Sequence, residues 1–309
     1  MKKWICILLA VVLLTGCGAQ EKPAQAGFTF TDDLGRTVTV DEPQRVACLL
    51  GSFADVWVLA GGTLAAAPDD AWEDFGLPRD GAVDLGHTKT LSLEALFAAE
   101  PDFVIASCNT RVDLEWMDTL EAAGIPTAYF DVSDFEDYLR LLKLCTEITG
   151  RSDLYEQHGL AVQAQIDAAI AASKARLAAE NAPTVLYLRA SASSIRAKGS
   201  EGNVLGEMLR ELGCVNIADT DDSLLENLSI EHIALEDPDF IFLVQLGDDD
   251  AGTREHVEEF LDGDPLWQSL TAVREGRVFF LDKTLYNLKP NDRWGGAYEA
   301  LEAILSHEA

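Results

Sequence analysis

Positive charge is scarce in this chain. Its 309 residues carry 23 Lys and Arg against 53 Asp and Glu, a formal net charge of −30. That balance excludes nucleic acid as a partner and a polybasic contact with membrane lipid. Enzyme signatures are missing as well. There is no G-x-x-x-x-G-K-[ST] phosphate loop and no H-E-x-x-H. There is no G-x-S-x-G elbow either, because Lys198-Gly199-Ser200-Glu201-Gly202 has the wrong spacing. Paired carboxylates are too abundant here to mark catalytic acids. Six cysteines occur without a C-x-x-C pair, which argues against a zinc site built from them alone. The apolar run Ile5 to Leu14 is too short to span about 30 Å of hydrocarbon as a helix.

That short run follows Lys2 and Lys3, the arrangement of a secretory signal. Leu14-Thr15-Gly16-Cys17 resembles the lipobox of bacterial lipoproteins. The resemblance implies cleavage after residue 16 and a diacylglycerol on the Cys17 thiol. Several acyl chains anchor a protein stably where one does not. Residues 17–27 then read as a lipidated, flexible tether. Losing Lys2 and Lys3 with the signal leaves 21 basic and 53 acidic residues, a mature charge of −32. Roughly 280 residues remain, enough for two lobes with their own cores. With Cys6 in the signal and Cys17 lipidated, Cys48, Cys108, Cys145 and Cys214 are either free thiols or include one bridge such as Cys48–Cys108.

One stretch occurs twice. Leu91-Ser92-Leu93-Glu94 leads to Pro101-Asp102-Phe103-Val104-Ile105, and Leu228-Ser229-Ile230-Glu231 leads to Pro238-Asp239-Phe240-Ile241-Phe242. Matched residues are 137 positions apart. Each copy predicts a helix with Ser92 or Ser229 at its N-cap and Glu94 or Glu231 in its first turn. Proline then breaks the helix and a buried strand follows. The separation is far beyond a solenoid period of roughly 20–50 residues. It implies two similar lobes, and two lobes imply a cleft.

Phe28 to Val40 alternates around Asp33-Leu34-Gly35-Arg36 and predicts a hairpin. Strands and helices then alternate to Gly150, the pattern of a parallel sheet covered by helices. The sequence 153–181 is Ala-rich, with Val162, Ile166, Ile170 and Leu177 on one face. A helix that long spans about 43 Å and serves as a spine. The α/β chain therefore divides into a first lobe (28–152), a backbone helix (153–181) and a second lobe (182–309).

Lipobox, hairpin, lobe, long helix and lobe occur in the order of the class III substrate-binding proteins of ABC importers, which carry ferric siderophores, haem and cobalamin. The chain resembles that family over its whole mature length. The resemblance rests on Asp33-Leu34-Gly35-Arg36 with Pro43-Gln44-Arg45-Val46, the doubled Leu-Ser-x-Glu…Pro-Asp element, and Gly276-Arg277-Val278-Phe279-Phe280. It implies that Glu94 and Glu231 dock on Arg pockets of a membrane permease, whose partner ATPase supplies the energy. It implies a monomer held at the cell surface, on the outer face of the cytoplasmic membrane, and no cofactor of its own.

Ligands of open α/β sheets sit beyond the carboxyl ends of the strands. Lys89, Arg111, Arg189, Arg196, Lys289 and Arg293 all fall in such segments, a placement expected of a cleft for an anion. Phe53, Tyr286 and Trp294 fall there too and are expected to stack on a flat chelate. The segment from Tyr286 to Trp294 is expected to face the ligand most directly. His87 and Tyr286 are the candidate iron ligands if the ligand is haem. A bare transition-metal ion is disfavoured, because Gly51-Ser52-Phe53 offers no donor. The reading is a lipoprotein that captures a ferric siderophore, with haem or cobalamin as alternatives. A chelatase-like enzyme or a surface scavenger is the rival of another class.

Overall fold

The computed structural model describes residues 27–219, 223–226, 228–247 and 249–306. The expected signal, Cys17 and most of the tether lie outside the described residues. No helix among them is long and apolar enough to cross a membrane.

The predicted hairpin forms first, from β1 (Phe28–Thr31) and β2 (Thr37–Val40). Gly35 makes the turn at φ 77°, a conformation that costs glycine little. Asp32 staples the turn to the sheet. Its buried carboxylate accepts from the backbone N–H groups of Leu34, Arg36 and Tyr129 and from the Arg36 guanidinium. That guanidinium also lies over the Tyr129 ring, 4.6 Å from its centre.

The first lobe is a parallel sheet in the order β5-β4-β3-β6-β7, from Val83–Asp84, Leu64–Ala67, Val46–Cys48, Phe103–Ser107 and Thr127–Phe130. The second is ordered β10-β8-β11-β12, from Val215–Asn216, Thr184–Ser191, Phe240–Gln245 and Val278–Leu281. One strand departs from the parallel expectation. β9 (Ser194–Lys198) returns along β8 as an antiparallel ribbon.

The doubled element is structural as well as sequential. Helices Leu93–Ala98 and Ile230–Glu236 both carry the predicted serine caps, Ser92 accepting from Ala95 N–H and Ser229 from His232 N–H. Both copies turn through a left-handed residue just before proline, Glu100 at φ 46° and Asp237 at φ 44°. A residue preceding proline is disfavoured in the right-handed helical region, so the helix must stop there. Each Pro-Asp carboxylate then pins the start of the neighbouring parallel strand. Asp102 accepts from the Gln44 and Arg45 N–H groups, and Asp239 from the Thr184 N–H and hydroxyl.

Between the lobes, helical residues run unbroken from Ser152 to Leu177, with a π-helical segment at Glu156–Leu160. The run spans about 39 Å, shorter than the sequence predicts, because the helix ends at Leu177 rather than at residue 181. Val162, Ile166 and Ala169 of this spine join a single core with Trp57 and Tyr138 of the first lobe and Tyr187 and Phe242 of the second. Each sheet buries its other face in a separate core, around Leu96 and Tyr129 in one lobe and Leu188 and Trp267 in the other.

Candidate ligand cleft and docking faces

Acidic side chains gather beyond the strand ends of the first lobe and basic ones on the β8–β9 ribbon of the second, and Lys289 feels both. Beyond β4, Asp70 accepts from Gly51 N–H at 3.1 Å through both carboxylate oxygens. Beyond β6, Asp113 is fully buried, and one of its oxygens accepts from Ser107 N–H at 2.8 Å while the other has no partner. Beyond β7, Asp131 accepts from the Asn109 side chain at 2.6 Å and from the Ser133 hydroxyl at 3.3 Å. Burial raises Asp70 to about 6, and Asp113 to about 7, against the hydrogen bonds each receives.

The group on the second lobe is basic. Arg189 of β8 and Arg196 of β9 are directly opposed in the ribbon, and Lys198 lies opposite Tyr187. Opposed residues of an antiparallel pair share a face, so all four side chains leave the same side. Like charges set opposite one another are destabilising unless something answers them. Burial lowers the Lys198 pKa, and Arg189 and Arg196 lower it further. Tyr187, fully buried, fixes the cluster by accepting from Arg189 Nε at 2.8 Å through its hydroxyl oxygen. Among the described residues, the other nitrogens of the Arg189 guanidinium form no hydrogen bond.

Burial lowers the Lys289 pKa most; Asp131 and Asp70 act on it from the first lobe and Arg189 from the second. Among the described residues, Arg189, Arg196, Lys198 and Lys289 form no ion pair. A cavity of about 610 Å³ lies at the foot of the ribbon, lined by Arg189, Lys198 and the loop from Gly199 to Asn203. A cavity of about 630 Å³ lies elsewhere, beside Gly27, Gly62 and Gly150, where none of these cations reaches.

Several expected site residues are placed differently. Arg111 is exposed and pairs with Glu115 at 3.0 Å, one helical turn on. His87 and Lys89 are exposed; the His87 ring accepts from Lys89 N–H at 3.1 Å. Arg293 is exposed and donates to the Thr284 hydroxyl at 3.3 Å. The three stacking aromatics are corrected outright. Phe53 is 1% exposed and Trp294 0%, so neither offers a face to a ligand. Gly51-Ser52-Phe53 is the first turn of helix Gly51–Leu59 rather than an open strand end. Tyr286 is buried and its hydroxyl donates to the Ala297 carbonyl at 3.1 Å, which removes it as an iron ligand.

The segment Tyr286 to Trp294 mostly forms a seam between lobes. Asn291, fully buried at φ 56°, donates to the Ser52 carbonyl at 2.9 Å and to Asp55 at 2.7 Å. Burial raises that Asp55 carboxyl to about 6. Asp292 bonds the His158 ring at 3.0 Å, and the Trp294 ring meets Phe135 edge-on at 6.1 Å. Lys283 pairs with Asp74 of the first lobe at 2.9 Å. Lys289 in this segment feels the charges of both lobes.

Lys198, Asp70 and Asp131 are the residues that sequence reasoning missed. The alternation Arg196-Ala197-Lys198 was the available signal, since residues two apart share a strand face. Glu94 and Glu231 are both exposed in the first turns of their helices. Cys48, Cys108, Cys145 and Cys214 are free thiols, so the Cys48–Cys108 bridge is not formed. Among the described residues, no group of three or more His, Cys, Asp or Glu side chains is placed to hold a metal ion.

Comparison with known proteins places this geometry. The family described as periplasmic binding protein matches residues 46–285. The Fe(3+)-citrate-binding protein YfmC of Bacillus subtilis is 24% identical, over 90% of this chain and 87% of its own. The uncharacterized ABC transporter substrate-binding lipoprotein YvrC of the same organism is 22% identical, over 97% of this chain and 96% of its own. Among solved structures, the periplasmic heme-binding protein RhuT from Roseiflexus, in apo form, superposes with a TM-score of 0.69 at 20% identity. It covers 85% of this chain and 98% of that one.

Proposed function

This chain belongs to the periplasmic binding protein family, and we propose that it is the receptor of an ABC importer, capturing an iron chelate between its lobes and passing it to a membrane permease. The family is one of binding proteins, and we read no catalytic step and no resident cofactor into this member. The observation that carries the reading is the paired docking face. Two helices of matched sequence, matched capping and matched left-handed exit each hold one exposed glutamate, Glu94 or Glu231. Simple stabilisation of a helix start, about 0.3–1 kcal/mol each, accounts for a carboxylate in either place. It does not account for the same exposed carboxylate on both lobes. Arg pockets on a permease are the partner such a pair fits.

The name of the iron-citrate relative supports iron-chelate cargo. The lipoprotein relative supports anchoring through Cys17 at the outer face of the cytoplasmic membrane. Of the residues expected in the cleft, we assign ligand contact to Arg189, Arg196 and Lys289, with His87, Lys89 and Arg293 at its rim. The test is iron uptake by cells carrying Glu94→Ala and Glu231→Ala together. Uptake should fall at least about tenfold, the scale of one lost charge-assisted contact, while chelate affinity of the purified protein stays unchanged. Normal uptake by the double variant would refute permease docking at these residues. Lost affinity would show that they serve the cleft instead.

A further inference from the structure

The receptor reading leaves open which kind of chelate is bound. Resting on that reading, we infer that the cargo is a polycarboxylate chelate, of the hydroxycarboxylate type. Four cations, Lys289, Arg189, Arg196 and Lys198, hold it, and Phe53, Tyr286 and Trp294 do not stack on it.

Three observations carry this. The cleft lacks aromatic platforms where they were expected. Phe53, Tyr286 and Trp294 are 1%, 3% and 0% exposed, so a catecholate, porphyrin or corrin finds none of them to lie on. The cations are unanswered. In a chain with 53 acids, Arg189 and Arg196 face each other across a strand pair, and Lys198 shares their face, with no carboxylate partner among the described residues. Acids are not absent nearby, and Glu201 and Asp219 line the cavity beside Lys198, but none pairs with these cations among the described residues. Asp219 accepts from Ser200 N–H, and Glu207 holds Arg210. The third observation is the polarity of the cleft. Lys289 has acids on its first-lobe side and Arg189 on its second-lobe side. A ligand with charge spread evenly over its surface would meet repulsion from Asp70 and Asp131. A chelate presenting its free carboxylates to one side only would avoid it.

Arginine recognises a carboxylate with a planar fork, and Arg189 enters the cleft with its Nε already fixed by Tyr187. The cavity beside Lys198 gives the outer carboxylates of such a ligand room. Lys198 is the residue that distinguishes this site from a general anionic cleft, because it adds a third cation to the face that Arg189 and Arg196 share.

The experiment is equilibrium binding of ferric citrate, ferrioxamine B, a ferric tris-catecholate and haemin to the purified full chain and to its Lys198→Gln and Arg196→Gln variants. Each is measured at low and high salt. Ferric citrate should bind tightest and weaken steeply with salt. Each variant should lose about tenfold in ferric citrate affinity, the scale of one charge-assisted contact, with an unchanged circular dichroism spectrum. Tighter binding of haemin, the catecholate or ferrioxamine B would overturn the polycarboxylate assignment and leave the iron-chelate reading standing. Ferric citrate binding that both variants retain would overturn the assigned residues. If no iron chelate binds, the assignment falls together with the reading beneath it.

Discussion

Replacing Asp113 by Asn should remove one identifiable residue's share of the pH dependence of this protein's stability. Asp113 is fully buried, its carboxyl raised by burial from 3.8 to about 7. The folded protein thus keeps that proton to near neutrality, whereas the unfolded chain loses it near pH 4. Between those limits the folded state binds more protons, so stability falls as pH rises. The contribution is complete below about pH 4 and lost as pH passes about 7. At about 1.4 kcal/mol per unit, the loss amounts to about 4 kcal/mol. Asparagine keeps an acceptor for Ser107 N–H, which now reaches a carboxylate oxygen at 2.8 Å. Its amide nitrogen, however, takes the place of an oxygen with no partner, at a cost of about 1–3 kcal/mol. Chemical unfolding at pH 4 to 8 therefore gives curves that cross. The variant is the less stable protein at pH 4 and the more stable at pH 8. The difference changes by about 1.4 kcal/mol per pH unit over the middle of that range. Repulsion among the other acids is common to both proteins and drops out of the difference. Parallel curves would refute the reasoning, because they would mean that Asp113 ionises alike in both states.

Tyr187→Phe removes the hydroxyl that receives Arg189 Nε, and should weaken ferric citrate binding about three- to tenfold with the fold intact; unchanged affinity would show that Arg189 needs no positioning. Anion affinity should fall with rising pH below the ordinary lysine range, because burial lowers both Lys289 and Lys198 and their charged forms are the binding forms; titrating ferric citrate from pH 7 to 10 in the wild type and Lys289→Gln checks it. Asn291→Ala breaks two bonds across the seam and strands Asp55, and should cost about 2–4 kcal/mol; a melting temperature within one degree of wild type would contradict this.

Local signals made much of the fold legible. The hairpin is written in a Gly that adopts φ 77° between alternating strands, and the doubled element in a serine cap and a proline stop. Each is decided by residues within one turn of it. What escaped depends on distant partners. β9 runs from Ser194 to Lys198 behind Ser191-Ala192-Ser193, a polar stretch that reads as loop and becomes a strand only because β8 offers an open edge. Missing β9 meant missing Lys198, because the alternation Arg196-Ala197-Lys198 carries that signal only once the segment is known to be a strand. The segment from Tyr286 to Trp294 misled for the opposite reason. Its polar and aromatic residues are those of a binding loop, but the same residues also close a buried interface, where Asn291 satisfies a carbonyl and a carboxylate at once. Composition cannot separate those uses. Burial does.

The seam has a consequence for how such a receptor opens. One apolar core runs from Trp57 and Tyr138 through Val162 and Ile166 to Tyr187 and Tyr298, so no flexible joint separates the lobes. Close-packed interiors yield by discrete shifts rather than by continuous bending. Parting the lobes must then break contacts at the seam itself, and these are polar: Lys283 to Asp74, and Asn291 to Ser52 and Asp55. Each is far cheaper to exchange for water than the aromatic contact of Trp294 with Phe135 behind them. A pull applied at Glu94 and Glu231, one on each lobe, meets those polar ties before it meets the core. The shared core keeps that movement small.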